Sequence, residues 1–338
     1  MLNIKRNAAN PVVTKDQLEE EACAVFNPGV IYENGKYYLF TRRATSLRPF
    51  ICSINLMESF DGVNFTESRK NAVITAKSLG YEKGSLEDPR VVKIGEKYLM
   101  TFAFRPVTWD CSPTGLGVPD YEPLIGKKTD KINNTLTAIV ESTNMLDWTL
   151  VSIVNETSEY DDRDVILFPE LINGKYAILR RPLDFVGKNY GVDKPSIWIS
   201  YSKDLKAWSE PQVVASPKYS FEKSKIGGGG TPLKTKDGWL IIYHGVNEKS
   251  VYSVGAMLLD LNDPTKVKGR IKNSILEPEL YYERTGLVIP DVIFPSGTVI
   301  VDGIVKIYYG CCDTSIALAE VNLNELLEKF KTEGEVYE

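Results

Sequence analysis

The feature that most constrains the fold is a short pattern that recurs five times along the chain. Each copy has a turn containing glycine, followed by a run of aromatic and β-branched residues, which is typical of the second strand of a β-hairpin. An apolar strand precedes each copy. The copies are ENGKYYLFTRR (33–43), GEKYLMTFAFR (95–105), NGKYAILRRP (173–182), KDGWLIIYHG (236–245) and VDGIVKIYYG (301–310).

The spacing of these copies indicates what kind of repeat they belong to. Successive turn glycines are 60, 79, 64 and 65 residues apart, which is room for four short strands and the size of a propeller blade. Three polar segments that end in an aromatic residue fit the outer hairpin of a blade: SFDGVNF (59–65), STNMLDW (142–148) and SKDLKAW (202–208). The sequence therefore predicts an all-β, five-bladed β-propeller with a central active-site funnel. A pair of β-sandwiches with coincidental hairpins is the alternative.

The remaining segments fit around this repeat. No low-complexity linker divides the chain, so a single domain over residues 1–338 is expected, with residues 1–20 as an N-terminal lead-in. Apolar residues at helical spacing in NLNELLEKFK (322–331) predict a short helix in the C-terminal tail, 322–335. The longest interval contains 105–123, rich in Gly, Pro and aromatic residues, which we interpret as a long loop over one face.

Composition excludes several classes of partner and chemistry. The chain has 40 Lys+Arg against 45 Asp+Glu, a formal charge of −5, which argues against a nucleic-acid or anionic-membrane partner. The single histidine, His244, excludes a zinc site built from several histidines, and the five cysteines show no CxxC spacing. No signal peptide or membrane span is recognisable, so we expect a cytoplasmic protein without a bound metal.

Five proline loops accompany the repeat and predict where the chemistry lies. They are FNPG (26–29), EDPR (87–90), FPE (168–170), GTP (230–232) and FPSG (294–297), and in a propeller they would meet at one end of the central channel. Several basic residues and few carboxylates lie near them, which describes an anion site beside a single acid. An inverting glycosidase instead needs an acid and a base roughly 6.5–9.5 Å apart, whereas phosphate arrives already nucleophilic and needs no base.

The ordered motifs FNPG, LEDPR, LFPE–NGKYAILRRP, GGGTP–GWLIIYHG and VIFPSG–IYYGCCD resemble family 130 of the glycoside hydrolases, the β-mannoside phosphorylases and their hydrolytic relatives. The resemblance runs from about residue 20 to residue 320. It implies a five-bladed propeller and inverting phosphorolysis of a β-mannoside to α-mannose 1-phosphate. Inorganic phosphate is then a co-substrate, and no cofactor is expected.

The resemblance also implies roles for individual residues. Asp88 matches the family's general acid, which protonates the leaving oxygen through the mannose 3-hydroxyl. The positions matching sugar-binding residues are Asn27, Arg42, Arg43 and Asp313, although Arg43 departs from the acidic residue common in the family. The positions matching phosphate-binding residues are Arg163, Arg181, Lys225, His244 and, less specifically, Tyr252. An unperturbed histidine has a pKa of about 6.5, so the charge of His244 is expected to change near neutral pH.

Other functions stay open at this stage. A β-mannoside hydrolase of the same family, a different propeller glycosidase with three separated carboxylates, and a noncatalytic glycan-binding propeller are the alternatives. The sequence does not select among β-1,2-linked substrates, β-1,4-linked substrates and mannosyl-glucose. Segment 105–123 is expected either to shape the acceptor site or to mediate a subunit contact, and a homo-oligomer is plausible from the family.

Overall fold

The computed structural model describes residues 2–47, 50–81, 84–106, 135–155 and 160–333. The segment 105–123 predicted as a loop therefore lies almost entirely outside the described residues. The chain forms five small antiparallel sheets arranged as the blades of a β-propeller, which confirms the predicted fold class.

The strands follow one another along the chain in the order of the blades. A two-residue strand, β1 (Lys5–Arg6), comes first. Blade 1 consists of β2 (Ala24–Glu33), β3 (Lys36–Leu47), β4 (Phe50–Ser59) and β5 (Thr66–Glu67). Blade 2 consists of β6 (Ser85–Ile94), β7 (Lys97–Arg105), β8 (Leu136–Ser142) and β9 (Thr149–Ile153). Blade 3 consists of β10 (Asp162–Leu167), β11 (Tyr176–Pro182), β12 (Ile197–Ser202) and β13 (Gln212–Ala215).

The last two blades depart slightly from this pattern. Blade 4 contains β14 (Lys225–Gly228), β15 (Leu233–Lys234), β16 (Trp239–Val246), β17 (Tyr252–Leu259) and β18 (Val267–Arg270). Both β14 and β15 pair with β16, so they are two halves of one interrupted inner strand. Blade 5 contains β19 (Ile293–Val301), β20 (Ile304–Cys311) and β21 (Ser315–Asn322).

The N-terminus completes blade 5. Strand β1 pairs antiparallel with β21, with Lys5 opposite Glu320. The lead-in predicted for residues 1–20 thus includes the outer strand of the last blade. Arg6 fixes this strand by donating from Nε to Glu283 Oε1 at 2.7 Å, and Glu283 lies in the one-turn helix α1 (Tyr281–Arg284).

The predicted C-terminal helix is present as α2 (Leu323–Glu333). Its buried side chains, Leu326, Leu327 and Phe330, join the apolar cluster between blades 4 and 5. Residues at i, i+1 and i+4 lie on one face of a helix, and this face of α2 packs against the outside of the propeller. No helix among the described residues is both long enough and apolar enough to cross a membrane.

The core lies between neighbouring blades rather than at one centre. Phe40 of blade 1 packs in the same buried cluster as Phe102 of blade 2, and Tyr308 of blade 5 packs with Leu39 of blade 1. Similar clusters join blades 2 and 3, 3 and 4, and 4 and 5. Burial of both faces of each sheet explains why a middle strand such as β16 is apolar along most of its length.

The inner strand of each blade is irregular at the position that faces the funnel. In β2, β6, β10 and β19 the register shifts, between Phe26 and Gly29, Glu87 and Arg90, Arg163 and Ile166, and Phe294 and Gly297 respectively. In blade 4 the gap between β14 and β15 occupies the same place. Such bulges bend a strand and redirect side chains, which is why they are frequent next to active sites.

Glycines in these irregular segments let the inner strands approach closely. A Cβ on Gly29 would lie 2.6 Å from the carbonyl oxygen of Pro89, and one on Gly229 would lie 2.4 Å from that of Pro295. The proline loops therefore touch their neighbours across the propeller, and only glycine fits at these contacts.

Candidate active site

A cavity of about 150 Å³ lies where the five bulged segments meet. Most of its walls come from the first two strands of each blade, near the start of the first and the end of the second, and Tyr252 at the start of β17 and the segment before β19 add to them. The lining residues are Asn27, Arg42, Glu87, Asp88, Ala103, Arg163, Asp164, Arg181, Lys225, His244, Tyr252, Ile289, Val292, Phe294 and Asp313. Nine of the ten residues predicted from the sequence are among them.

Backbone conformation explains how the polar side chains reach the cavity. Asn27, Asp88 and Asp164 occupy equivalent bulge positions and have φ of 44°, 54° and 51°. Asp313, which follows β20, has φ of 55°. Asn and Asp are the non-glycine residues that best tolerate this left-handed region, so a carboxylate or amide is compatible with the backbone there.

Asp88 lies at one side of the cavity with its side chain 17% exposed. Its Oδ1 accepts hydrogen bonds from Asn27 Nδ2 at 2.8 Å and from Arg42 Nη1 at 3.1 Å. Among the described residues, Oδ2 accepts no hydrogen bond, so this oxygen is open to a ligand. Arg90 Nη1 donates to the Asp88 carbonyl at 2.5 Å and fixes the loop.

Arg42 connects Asp88 to a second carboxylate. Its Nη2 is 3.2 Å from Glu87 Oε1, which also accepts from Arg105 Nε at 3.2 Å. Although burial favours the protonated form of Glu87, Arg42 and Arg105 hold its pKa below the usual value. Glu87 is thus an ionised partner for arginine and is poorly suited to act as an acid.

Asp313 lies near the same arginine and has the opposite tendency. Burial raises its pKa to about 6, and Asp88 and Glu87 add to this effect while Arg42 opposes it. Three carboxylates and one guanidinium therefore share this side of the cavity. The raised pKa of Asp313 makes this carboxyl the one of the three that keeps a proton most readily in mildly acidic solution.

The other side of the cavity carries the basic residues. Arg181 Nε donates to Asp164 Oδ2 at 2.7 Å, and Arg163 donates from Nε and Nη2 to Asp161 at 2.7 and 3.1 Å. Lys225 Nζ lies 5.2 Å from the ring centroid of Tyr252.

Two buried guanidinium nitrogens on this side, Arg181 Nη1 and Arg90 Nη2, have no hydrogen-bond partner among the described residues. Buried donors without a partner are costly. Arg181 lines the cavity, so an anion there would satisfy its Nη1, whereas Arg90 Nη2 lies 3.7 Å from Asp164 Oδ1.

His244 is fully buried beside Phe294, with ring centroids 4.7 Å apart. Its Nδ1 is 3.3 Å from the Gly228 carbonyl oxygen. Burial lowers the pKa of His244 to about 3, although the nearby Asp164 opposes the change. The prediction that the charge of His244 changes near neutral pH is therefore wrong for the free protein. The physical reason is that the ring is buried away from water, which the sequence does not show.

Arg43 is the predicted site residue that the structure does not bring into the cavity. It follows Arg42 on β3 and points to the opposite side of the strand. There its Nη1 donates to Glu67 at 3.1 Å and its Nη2 to the Glu20 carbonyl at 2.6 Å. Its proposed role in binding sugar is withdrawn on this ground. Arg180, the neighbour of Arg181 on β11, likewise lies outside the cavity lining and donates from Nε to Asp162 at 2.9 Å.

Asp164 is the site residue that the sequence argument missed. The third proline loop was placed at FPE (168–170), but Glu170 is exposed and pairs with Lys234, at the end of β10 away from the cavity. The bulge of blade 3 lies instead around Asp164, in a strand without proline. The only available signal was the alternation of charges in DRD (162–164).

The chain is similar to known proteins along its length. A family model described as "beta-1,4-mannooligosaccharide phosphorylase" matches residues 3–114 and 125–332. The chain is 36% identical over 335 residues to a 1,2-beta-oligomannan phosphorylase of Thermoanaerobacter sp. (strain X514), covering 96% of this chain and 99% of the relative. It is also 36% identical over 334 residues to a beta-1,2-mannobiose phosphorylase of the same organism, covering 95% and 98%.

A solved structure gives the same picture. The beta-1,2-mannobiose phosphorylase from Listeria innocua, in complex with beta-1,2-mannobiose, matches with a TM-score of 0.79 at 27% identity. The match covers 98% of this chain and all of that one.

Proposed function

The chain belongs to glycoside hydrolase family 130, and on that premise we propose that it catalyses inverting phosphorolysis of β-1,2-linked manno-oligosaccharides to α-mannose 1-phosphate and a shortened sugar. The observation that supports phosphate as the attacking group is Arg181 Nη1, a buried guanidinium nitrogen without a hydrogen-bond partner among the described residues, in the same cavity as Asp88. The preference for the β-1,2 linkage is supported by the two relatives at 36% identity.

Asp88 is the proposed general acid. Its Oδ1 is held by Asn27 and Arg42, so Oδ2 is positioned toward the ligand and carries the proton that leaves with the acceptor sugar. In this scheme the mannose 3-hydroxyl passes that proton to the leaving oxygen, and Asp313 and Arg42 bind the same mannose.

The attacking phosphate is proposed to bind to Arg163, Arg181, Lys225, His244 and Tyr252. Arginine suits a phosphate because its fork of donors matches two oxygens at once, and each charge-assisted bond contributes roughly 1.5–3 kcal/mol. Arg90 connects the two sides, since Nη1 bonds to the Asp88 carbonyl and Nη2 lies 3.7 Å from Asp164 Oδ1.

A hydrolase would need a carboxylate free to activate water. Glu87 and Asp164 each pair with an arginine, at 3.2 and 2.7 Å, which disfavours either of them as the base of a hydrolase. Four free thiols among the described residues, Cys23, Cys52, Cys311 and Cys312, support our proposal of a reducing, cytoplasmic environment.

The linkage is tested by running the reaction in reverse. The enzyme is supplied with α-mannose 1-phosphate and, separately, mannose, glucose and N-acetylglucosamine as acceptors, and the products are analysed for linkage. We expect β-1,2-linked products from mannose. Predominantly β-1,4-linked products, in line with the description of the family model, would contradict the linkage but not the phosphorolysis.

A further inference from the structure

The anion side of the cavity contains hydrogen-bond acceptors as well as donors. The Gly228 carbonyl can only accept a hydrogen bond, so His244 Nδ1, 3.3 Å away, carries the ring hydrogen of the neutral imidazole. Nε2 is then a lone-pair acceptor, and it is buried with no hydrogen-bond partner among the described residues.

A second acceptor lies beside it. Asp164 Oδ2 is 3.8 Å from His244 Nε2, a spacing too long for a hydrogen bond between them. Arg181 and Arg90 hold the pKa of Asp164 below its usual range against the effect of burial, so this oxygen is ionised. Two acceptors 3.8 Å apart are close enough for a single O–H group placed beside both to donate a shared hydrogen bond.

The surrounding residues keep this arrangement fixed and accessible. A Cβ on Gly227 would lie 2.2 Å from Asp164 Oδ2 and 2.5 Å from His244 Cε1, so the glycine leaves the space in which these groups meet. Arg181 Nε holds Asp164 Oδ2 from one side at 2.7 Å, while Phe294 packs against the imidazole.

We propose that His244 Nε2 and Asp164 Oδ2 together accept the hydrogen of a protonated oxyanion, so that the site selects hydrogen phosphate over anions of equal charge that carry no hydrogen. Arg163, Arg181 and Lys225 attract any dianion of this size, and the two acceptors reject one that cannot donate. Holding the P–OH here also leaves the unprotonated oxygens to face the sugar. This inference rests on the proposed phosphorolysis and adds to it a basis for anion specificity.

Sulfate is the matched probe, because it has the shape and charge of hydrogen phosphate but no hydrogen. The dissociation constants of inorganic phosphate and inorganic sulfate are measured by calorimetry on the full chain, at mildly alkaline pH where phosphate is mainly the hydrogen phosphate dianion. A sulfate oxygen at this place would meet the two buried acceptors without a hydrogen to donate. Sulfate is therefore expected to bind roughly 30-fold or more weakly than phosphate. Dissociation constants within about threefold of each other would overturn the proposal.

Variants test which residues are responsible. Asp164→Asn replaces an acceptor oxygen by an amide that can turn a donor toward sulfate, and His244→Gln does the same at the second position. Each substitution is expected to lower the ratio of the sulfate dissociation constant to the phosphate dissociation constant by about tenfold. Glu170→Gln removes one charge at the exposed ion pair with Lys234 and serves as the matched control, with the preference unchanged. A folded Asp164→Asn protein that keeps the full preference would overturn the role of that carboxylate.

The outcome is distinguishable from a failure of the proposed function. Sugar release that does not depend on phosphate contradicts phosphorolysis itself. Phosphate-dependent release of mannose 1-phosphate together with equal binding of sulfate contradicts only the selectivity assigned to His244 and Asp164.

Discussion

Replacing Asp88 by Asn separates its role in the reaction from its role in the fold. The amide keeps an oxygen that can accept from Asn27 and Arg42, now at 2.8 and 3.1 Å from Asp88 Oδ1. Asn also tolerates the backbone conformation, φ of 54°. The substitution makes the hydrogen bond from Asn27 neutral and reduces the ion pair with Arg42 to a hydrogen bond from a charged donor, at a side chain that is 17% exposed. We therefore expect a loss of about 1 kcal/mol in the free energy of unfolding.

A change of that size should shift the melting temperature by no more than about 3 °C. Activity behaves differently, because an amide has no proton to give to the leaving oxygen. Removal of a general acid typically costs about 10²- to 10⁴-fold, so kcat/KM for phosphorolysis of an unactivated mannoside should fall within or beyond that range.

The assay follows mannose 1-phosphate formation at saturating phosphate, alongside thermal unfolding of the same preparations. Asp302→Asn is the matched control, because Asp302 is exposed in the β19–β20 turn and has nearly the same φ, 50°. It should leave both readouts unchanged. Residual phosphorolysis above about a tenth of wild type in a folded Asp88→Asn protein would remove Asp88 from its role.

Three further predictions concern the two sides of the cavity and the residue outside it. His244→Ala should weaken phosphate binding far more than mannoside binding, as measured by the two KM values; equal losses would show that the ring is only structural. Arg43→Ala leaves Glu67 buried without its ion pair, so the free energy of unfolding in urea should fall by about 3 kcal/mol. The value of kcat/KM should stay within about twofold of wild type. A selective rise in the mannoside KM would instead show that Arg43 contributes to sugar binding. The pKa of Asp313 in the folded state is raised to about 6, so the folded state binds this proton more tightly than the unfolded state does. The Asp313 carboxyl therefore lowers the free energy of unfolding increasingly as pH rises from about 4 to about 6. Asp313→Asn should therefore gain stability relative to wild type across that interval, and a constant difference between the two proteins would contradict the shift.

Much of the fold could be predicted because the propeller repeats its local signals. The turn glycines Gly35, Gly95, Gly174 and Gly303 all have positive φ below 80°, as the hairpin turns require, so their spacing reports the blade period directly. The two-residue strand β1 could not be predicted in this way, since its pairing with β21 is a contact between the two ends of the chain.

The site was predictable where a residue's place follows from a motif and unpredictable where it depends on burial. EDPR and FNPG mark bulges with proline, and Asp88 and Asn27 were found. Asp164 occupies the equivalent bulge without proline, and no local signal distinguishes it from an exposed aspartate. Arg43 could have been excluded, because successive residues of a strand face opposite sides and Arg42 already faces the funnel. The depressed pKa of His244 follows only from packing around the ring.

The most direct test of the central claim is the dependence of mannoside cleavage on inorganic phosphate. Purified enzyme is incubated with a β-1,2-linked manno-oligosaccharide in phosphate-free buffer and then with phosphate, and free mannose and mannose 1-phosphate are quantified separately. With phosphate present, we expect equal amounts of mannose 1-phosphate and the shortened sugar. Without phosphate, we expect negligible cleavage. Equal release of free mannose in the absence of phosphate would contradict the proposed phosphorolysis.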